Sequence, residues 1–125
     1  MSILGLDAST VCIGWALLSD SGDYIDCGYI DLSKEKNIYR KLDIFEKFID
    51  ERLVGLKDLK ISMEAPLMMF RTRSSMAQVI AKLQEVNAMY RALLYKKLGA
   101  ETTLINPMTG RRLVGLNIPR KENTK

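Results

Sequence analysis

Ile3-Leu4-Gly5-Leu6-Asp7-Ala8-Ser9-Thr10 is the stretch from which the fold of this 125-residue chain is read. A short apolar run leads straight into an aspartate, small and hydroxyl residues follow, and a second alternating run extends from Val11 to Leu18. An apolar run bounded in this way predicts a buried strand over residues 2–7, with the carboxylate at the strand's end, where the sheet opens to solvent. Open α/β sheets place their chemistry at such ends. Two readings of Asp7 stand side by side here: a turn aspartate, for which Asp-Ala-Ser-Thr is adequate composition, and a site carboxylate.

From Val11 to Leu18 the apolar residues Val11, Ile13, Trp15 and Leu17 alternate with Cys12, Gly14 and Ala16, which predicts a second strand. Ser19-Asp20-Ser21-Gly22-Asp23 is a turn by composition, and Tyr24 to Leu32 returns as a third strand. Short links make these three an antiparallel meander. Pairing about the turn sets Cys12 near Asp31 and Cys27 near Ala16, so the only two cysteines do not face each other. That arrangement suits a reducing compartment.

The period then changes. Ile38, Leu42, Phe45, Ile49 and Leu53 recur every three to four residues, with Phe48 widening the stripe, and predict an amphipathic helix over 34–54 that ends at Gly55. Leu59-Lys60-Ile61-Ser62-Met63-Glu64 is a short strand after a helix, predicted parallel to the first. Pro66 cannot donate to a ladder and biases Ala65 toward extended backbone, so the strand finishes at Glu64. If this strand lies beside the first, Asp7 and Glu64 stand at the same end of neighbours about 4.8 Å apart. Two carboxylates so placed repel, and a divalent cation between them relieves the repulsion. That geometry shifts the balance toward the site reading of Asp7.

Residues 67–73 form a loop in which Met68, Met69 and Phe70 adjoin Arg71 and Arg73. Such a loop suits contact with a nucleic-acid backbone and stacking on bases, and equally a hydrophobic lid over the core. Ser75-Met76-Ala77-Gln78 is a capping box opening a long helix to Leu98, with Gly99 at its stop. Its predicted apolar face comprises Met76, Val79, Ile80, Leu83, Val86, Tyr90, Leu93 and Leu94. Ala88 and Met89 add apolar surface on another side, which a dimer would use. Residues 101–106 form a last strand closed by Pro107, and 108–115 can form a short helix.

Composition narrows the chemistry. With 47% hydrophobic and 27% charged residues the chain is an ordinary globular domain. No apolar stretch approaches the roughly 20 residues that span a bilayer, and no signal-type segment opens the chain, so an intracellular, cytoplasmic location is expected. There is no histidine, which excludes a His general base or triad, and two cysteines without histidine do not build a typical zinc site. A metal would be held by carboxylates, which favours Mg2+ or Mn2+. The net charge is +4, and Arg111, Arg112, Arg120, Lys121 and Lys125 stand near the C-terminus against the single acid Glu122. A basic stretch of this kind suits a polyanion such as nucleic acid, and also occurs as a solvated tail.

Three antiparallel strands, a helix, a parallel strand, a helix and a fifth strand, with acids ending strands one and four, is the order of the ribonuclease-H-like α/β fold: a five-stranded mixed sheet with flanking helices. Leu4-Gly5-Leu6-Asp7-Ala8-Ser9-Thr10, Gly14-Trp15-Ala16-Leu17 and Met63-Glu64-Ala65-Pro66 further resemble the RuvC-type Holliday-junction resolvases, particularly phage-borne members. The resemblance spans nearly the whole chain, and its specificity lies in the combination and order of short motifs.

The resemblance implies a homodimeric, structure-selective endonuclease that resolves four-way or other branched DNA by metal-dependent phosphodiester hydrolysis, serving recombination and repair. Asp7 matches the family's first metal-binding aspartate and Glu64 its glutamate, both catalytic and both holding Mg2+ or Mn2+. Arg71, Arg73, Arg111, Arg112, Arg120, Lys121 and Lys125 would contact the nucleic acid, with Lys121 or Lys125 near the scissile phosphate. If phage-encoded, the protein would work in a bacterial host's cytoplasm. One departure matters. The family carries further catalytic aspartates in an Asp-x-x-Asp pattern on a later helix, and neither Glu85, Glu101 nor Glu122 stands in a matching context. The expectation is therefore a single domain over residues 1–125, truncated before that helix. Two alternatives are weighed: a non-catalytic nucleic-acid-binding module of the same fold, and a fragment of the sugar-kinase and actin-like superfamily, whose first hairpin also carries Asp followed by small, phosphate-cradling residues.

Overall fold

The computed structural model describes residues 1–66 and 74–106 of the chain. Strands β1 (Ser2–Ala8), β2 (Cys12–Ser19), β3 (Tyr24–Asp31), β4 (Leu59–Glu64) and β5 (Thr102–Ile105) form one sheet in the order β3-β2-β1-β4-β5. β1 and β2 pair antiparallel, as do β2 and β3, while β4 runs parallel to β1 and β5 parallel to β4. Helix α1 (Ile38–Phe48) joins β3 to β4, and helix α2 (Ser74–Leu98) lies between β4 and β5. The expected meander, parallel fourth strand and five-stranded mixed sheet are all present.

Side chains alternate across a strand, and this alternation assigns the two faces. Leu4, Leu6, Ile13, Ile61 and Met63 are buried on one face, against Phe45 of α1 and Val86, Tyr90 and Leu94 of α2. Phe45 meets Tyr90 edge to face at 4.9 Å between ring centroids, and Trp15 meets Phe48 at 5.3 Å, so aromatic contacts join the helices to each other and to β2. The residues out of phase with this set, Gly5, Asp7, Gly14, Ala16, Ser62 and Glu64, line a groove on the opposite face.

The first helix departs from expectation at its start and in the geometry of its last turn, while its end at Val54 is as predicted. It starts at Ile38 because Asn37 Oδ1 accepts the Tyr39 and Arg40 N–H groups at 2.8 and 3.2 Å, fixing the N-cap three residues after Lys34. At Ile49–Leu53 the helix widens, and the Val54 N–H reaches the Ile49 carbonyl at 3.0 Å. Phe45, Ile49 and Leu53 are spaced four apart, slightly more than the 3.6 residues of an α-helical turn. The wider turn takes up the difference, and all three stay buried. The left-handed residue that follows is Asp58, with φ of 54°, rather than Gly55.

The long helix ends as predicted at Gly99, whose φ is 68° and whose N–H returns to the Tyr95 carbonyl at 2.8 Å. Among the described side chains its apolar face is the predicted one except at Val79. Ile80, Val86, Tyr90 and Leu94 are buried, but Val79 is 53% exposed. Met89 packs on the core rather than presenting a second apolar surface, while Ala88 is exposed. Asn87 occupies a core position instead.

The meander has the predicted register, with Cys12 opposite Asp31 and Cys27 opposite Ala16. Both thiols are free. Among the described residues no helix is long and apolar enough to cross a membrane. The possible helix at 108–115 lies outside the described residues.

Candidate metal and nucleic-acid site

The site begins with the β1–β4 register. Gly5 pairs with Ser62 and Leu6 with Met63, so Asp7 and Glu64 are each the next residue along parallel neighbours. Both are exposed and both line the groove, of about 740 Å³, on the face opposite α1 and α2. Across β1 and β2, Asp7 stands opposite Gly14 and Gly5 opposite Ala16. The groove floor beside the two carboxylates is therefore made of residues with little or no side chain, and the backbone is accessible there.

Each acid is followed by a turn that ends its strand. After Asp7, the Ser9 N–H donates to the Cys12 carbonyl at 2.8 Å, and Ser9 Oγ accepts the Cys12 N–H at 3.1 Å. The same hydroxyl accepts the Val11 N–H at 3.3 Å and donates to the Cys12 carbonyl at 3.0 Å. After Glu64, the Ala65 N–H donates to the Ile105 carbonyl at 2.8 Å. Pro66 then ends the ladder, as predicted.

Among the described residues Asp7 takes part in no ion pair, and no three acids or cysteines gather into a metal-sized cluster. Asp7 and Glu64 stand as a pair of hard oxygen donors on an open surface, which suits Mg2+ or Mn2+ rather than a softer metal. The remaining predicted contacts, Arg71, Arg73, Arg111, Arg112, Arg120, Lys121 and Lys125, lie outside the described residues.

Three residues around the site were not legible as part of it. Lys41 of α1 donates from Nζ to the Thr10 carbonyl, in the turn after Asp7. Asn87 of α2 donates from Nδ2 to the Glu64 carbonyl at 3.4 Å and accepts from Arg91 Nε at 2.7 Å. Asn87 did carry a signal: it falls in the stripe Ile80, Leu83, Asn87, Tyr90, Leu94, where a polar residue breaks an apolar pattern. A buried amide in such a stripe needs partners, and here they are a strand end and a guanidinium. Lys41 carried no signal, because a lysine between Ile38 and Leu42 reads as solvated.

No family model matches this sequence, and no curated protein matches it. Solved structures do. The Thermus thermophilus RuvC structure is similar over 98% of this chain and 75% of its own, at 13% identity and a TM-score of 0.69. The same organism's RuvC in complex with a Holliday junction substrate is similar over 92% of this chain and 70% of its own, at 10% identity and a TM-score of 0.70. A ROK-family transcriptional regulator is similar over 90% of this chain but 30% of its own, at 14% identity and a TM-score of 0.53. At these identities the likeness is one of fold, and the fold is ribonuclease-H-like.

Proposed function

We propose that this chain is a RuvC-like nucleic-acid enzyme that cleaves branched DNA, with a divalent metal held at Asp7 and Glu64. One observation carries the reading: two carboxylates at adjacent parallel strand ends, on the open face of a sheet whose fold is shared with RuvC. A divalent cation at this position supplies Lewis acidity and charge neutralisation for phosphodiester hydrolysis.

The chain's own residues do the rest. Asp7 and Glu64 supply anionic oxygens from the ends of two neighbouring parallel strands, one residue beyond the paired Leu6 and Met63. Gly5 and Gly14 keep the neighbouring floor low, so a phosphodiester backbone can come close to the carboxylates. The arginines and lysines of 67–73 and 111–125 supply charge for the phosphates, and a homodimer would present two such sites to a four-way junction. A phosphate-cradling role for the first turn is less well supported, because the Ser9 hydroxyl is committed to Val11 and Cys12.

The test incubates this chain, beside Asp7→Asn, with end-labelled four-way junction and linear duplex in Mg2+ or Mn2+, scoring binding and nicking together. Paired nicks at the junction that disappear in the variant would support the resolvase reading and show that a further catalytic acid lies within these residues. Junction binding without nicking would mean a resolvase piece lacking the further acids or a non-catalytic module, and neither binding nor nicking would overturn the nucleic-acid reading.

A further inference from the structure

Both strand ends that carry the acids are held from the opposite side of the sheet. The Thr10 carbonyl, three residues after Asp7, accepts from Lys41 Nζ of α1. The Glu64 carbonyl itself accepts from Asn87 Nδ2 of α2. Lys41 is half-buried, and Asn87 is 2% exposed. Arg91 fixes the sense of the Asn87 amide, because a guanidinium only donates, so the atom facing Arg91 Nε is the oxygen and the NH2 turns toward Glu64.

We infer that Lys41 and Asn87 are positioning residues, one from each helix, that clamp the ends of β1 and β4 and so set the separation of Asp7 and Glu64. This rests on the metal reading above and assigns it a supporting layer. The physical need is local. The β1–β4 pairing ends at Leu6 and Met63, so Asp7 and Glu64 lie just past the paired stretch that fixes the distance between their strands. A few tenths of an ångström of play there is amplified at the carboxylate tips, and ligands held loosely bind metal weakly. Each clamp acts on a main-chain carbonyl.

Charge and positioning predict opposite signs, which makes the assignment testable. Lys41→Met removes a cation and Asn87→Asp adds an anion, so either change acting through charge alone would tighten binding of a divalent cation. Asn87→Asp keeps an acceptor for Arg91 but removes the donor to Glu64. Acting through position, both changes loosen binding.

The experiment titrates Mn2+, by electron paramagnetic resonance of the free ion, into the wild-type chain, Asp7→Asn, Glu64→Gln, Lys41→Met, Lys41→Arg and Asn87→Asp. Thermal unfolding of each is followed in parallel. The expected result is a Mn2+ dissociation constant raised at least threefold in Lys41→Met and in Asn87→Asp, with Lys41→Arg, which keeps a donor, nearer to wild type. Unchanged or tighter binding in the two folded variants, with binding lost in Asp7→Asn, would overturn the assignment and leave the metal reading intact. Wild-type binding no tighter than that of Asp7→Asn would overturn the metal reading and the assignment with it. Should Asn87→Asp not fold, Arg91→Met replaces it: it frees the amide to turn over and is expected to weaken Mn2+ binding in the same direction.

Discussion

The two faces of the sheet are made by the same strands, one residue out of phase, and they are built for different ends. Leu4, Leu6, Ile13, Ile61 and Met63 face two helices and are buried to within a few per cent. Gly5, Asp7, Gly14, Ala16, Ser62 and Glu64 face an open groove. The first face gathers apolar area, which stabilises the fold. The second exposes carboxylates and backbone, which stabilise nothing by burial. Stability and chemistry are thus separated by a single step along the strand, and the two clamps inferred above cross from one layer to the other.

The largest expected effect lies on the helix face. Leu6→Ala removes a buried side chain among neighbours that cannot fully collapse, and should cost about 3 kcal/mol in urea denaturation. A loss below about 1 kcal/mol would mean the two faces are less different than their burial indicates.

Two glycines sharpen the contrast. A Cβ at Gly28 would meet three ring atoms of Trp15 at 3.0 to 3.1 Å, on the helix side of β3, where Phe48 backs the indole. Gly28→Ala should therefore cost about 1–2 kcal/mol through overpacking. A Cβ at Gly14, on the open face, would meet only Asp7 atoms at 3.9 to 4.0 Å. Gly14→Ala should leave stability within about 0.5 kcal/mol of wild type. Equal losses in the two variants would break the comparison.

Tyr90 supplies a pH-dependent version. Its hydroxyl is buried without a hydrogen-bond partner among the described residues, and burial pushes its pKa up to about 12 from 10.0. Because the folded state then holds the proton more tightly than the unfolded state, stability is flat below pH 10 and falls as the pH rises toward 12. The loss assignable to this residue is on the order of 2 kcal/mol. Tyr90→Phe should be neutral or slightly stabilising at pH 7, having removed an unpaired polar group, and should flatten that alkaline decline. An alkaline decline equal in the two proteins would place its cause elsewhere.

The smallest effect on stability is expected at the site itself. Asp7 is exposed and takes part in no ion pair among the described residues, so Asp7→Asn should change unfolding free energy by no more than about 0.5 kcal/mol while abolishing metal binding. A large stability loss would mean Asp7 serves the fold.

Much of this division was readable from the sequence, because period two is a strong signal when one face is apolar. Leu4 and Leu6, Ile13 and Trp15, Ile61 and Met63 announce the helix face, and Asp7 and Glu64 stand out by ending the runs. The parts that escaped depend on contacts between elements distant in sequence. The wider turn at Ile49–Leu53 answers to burial against the sheet. The exposure of Val79 and the burial of Asn87 on α2 answer to packing against Phe45 and the end of β4. Lys41 reaches a carbonyl 31 residues earlier, which no local pattern encodes.

The proposed divalent metal at Asp7 and Glu64 is tested by adding Mn2+ to isotopically labelled protein and recording which backbone amide signals broaden. Broadening centred on Asp7, Glu64 and the facing Gly14, and absent in Asp7→Asn, is the predicted result. Broadening centred instead on the Asp20–Asp23 turn, or on no residue at all, would contradict it.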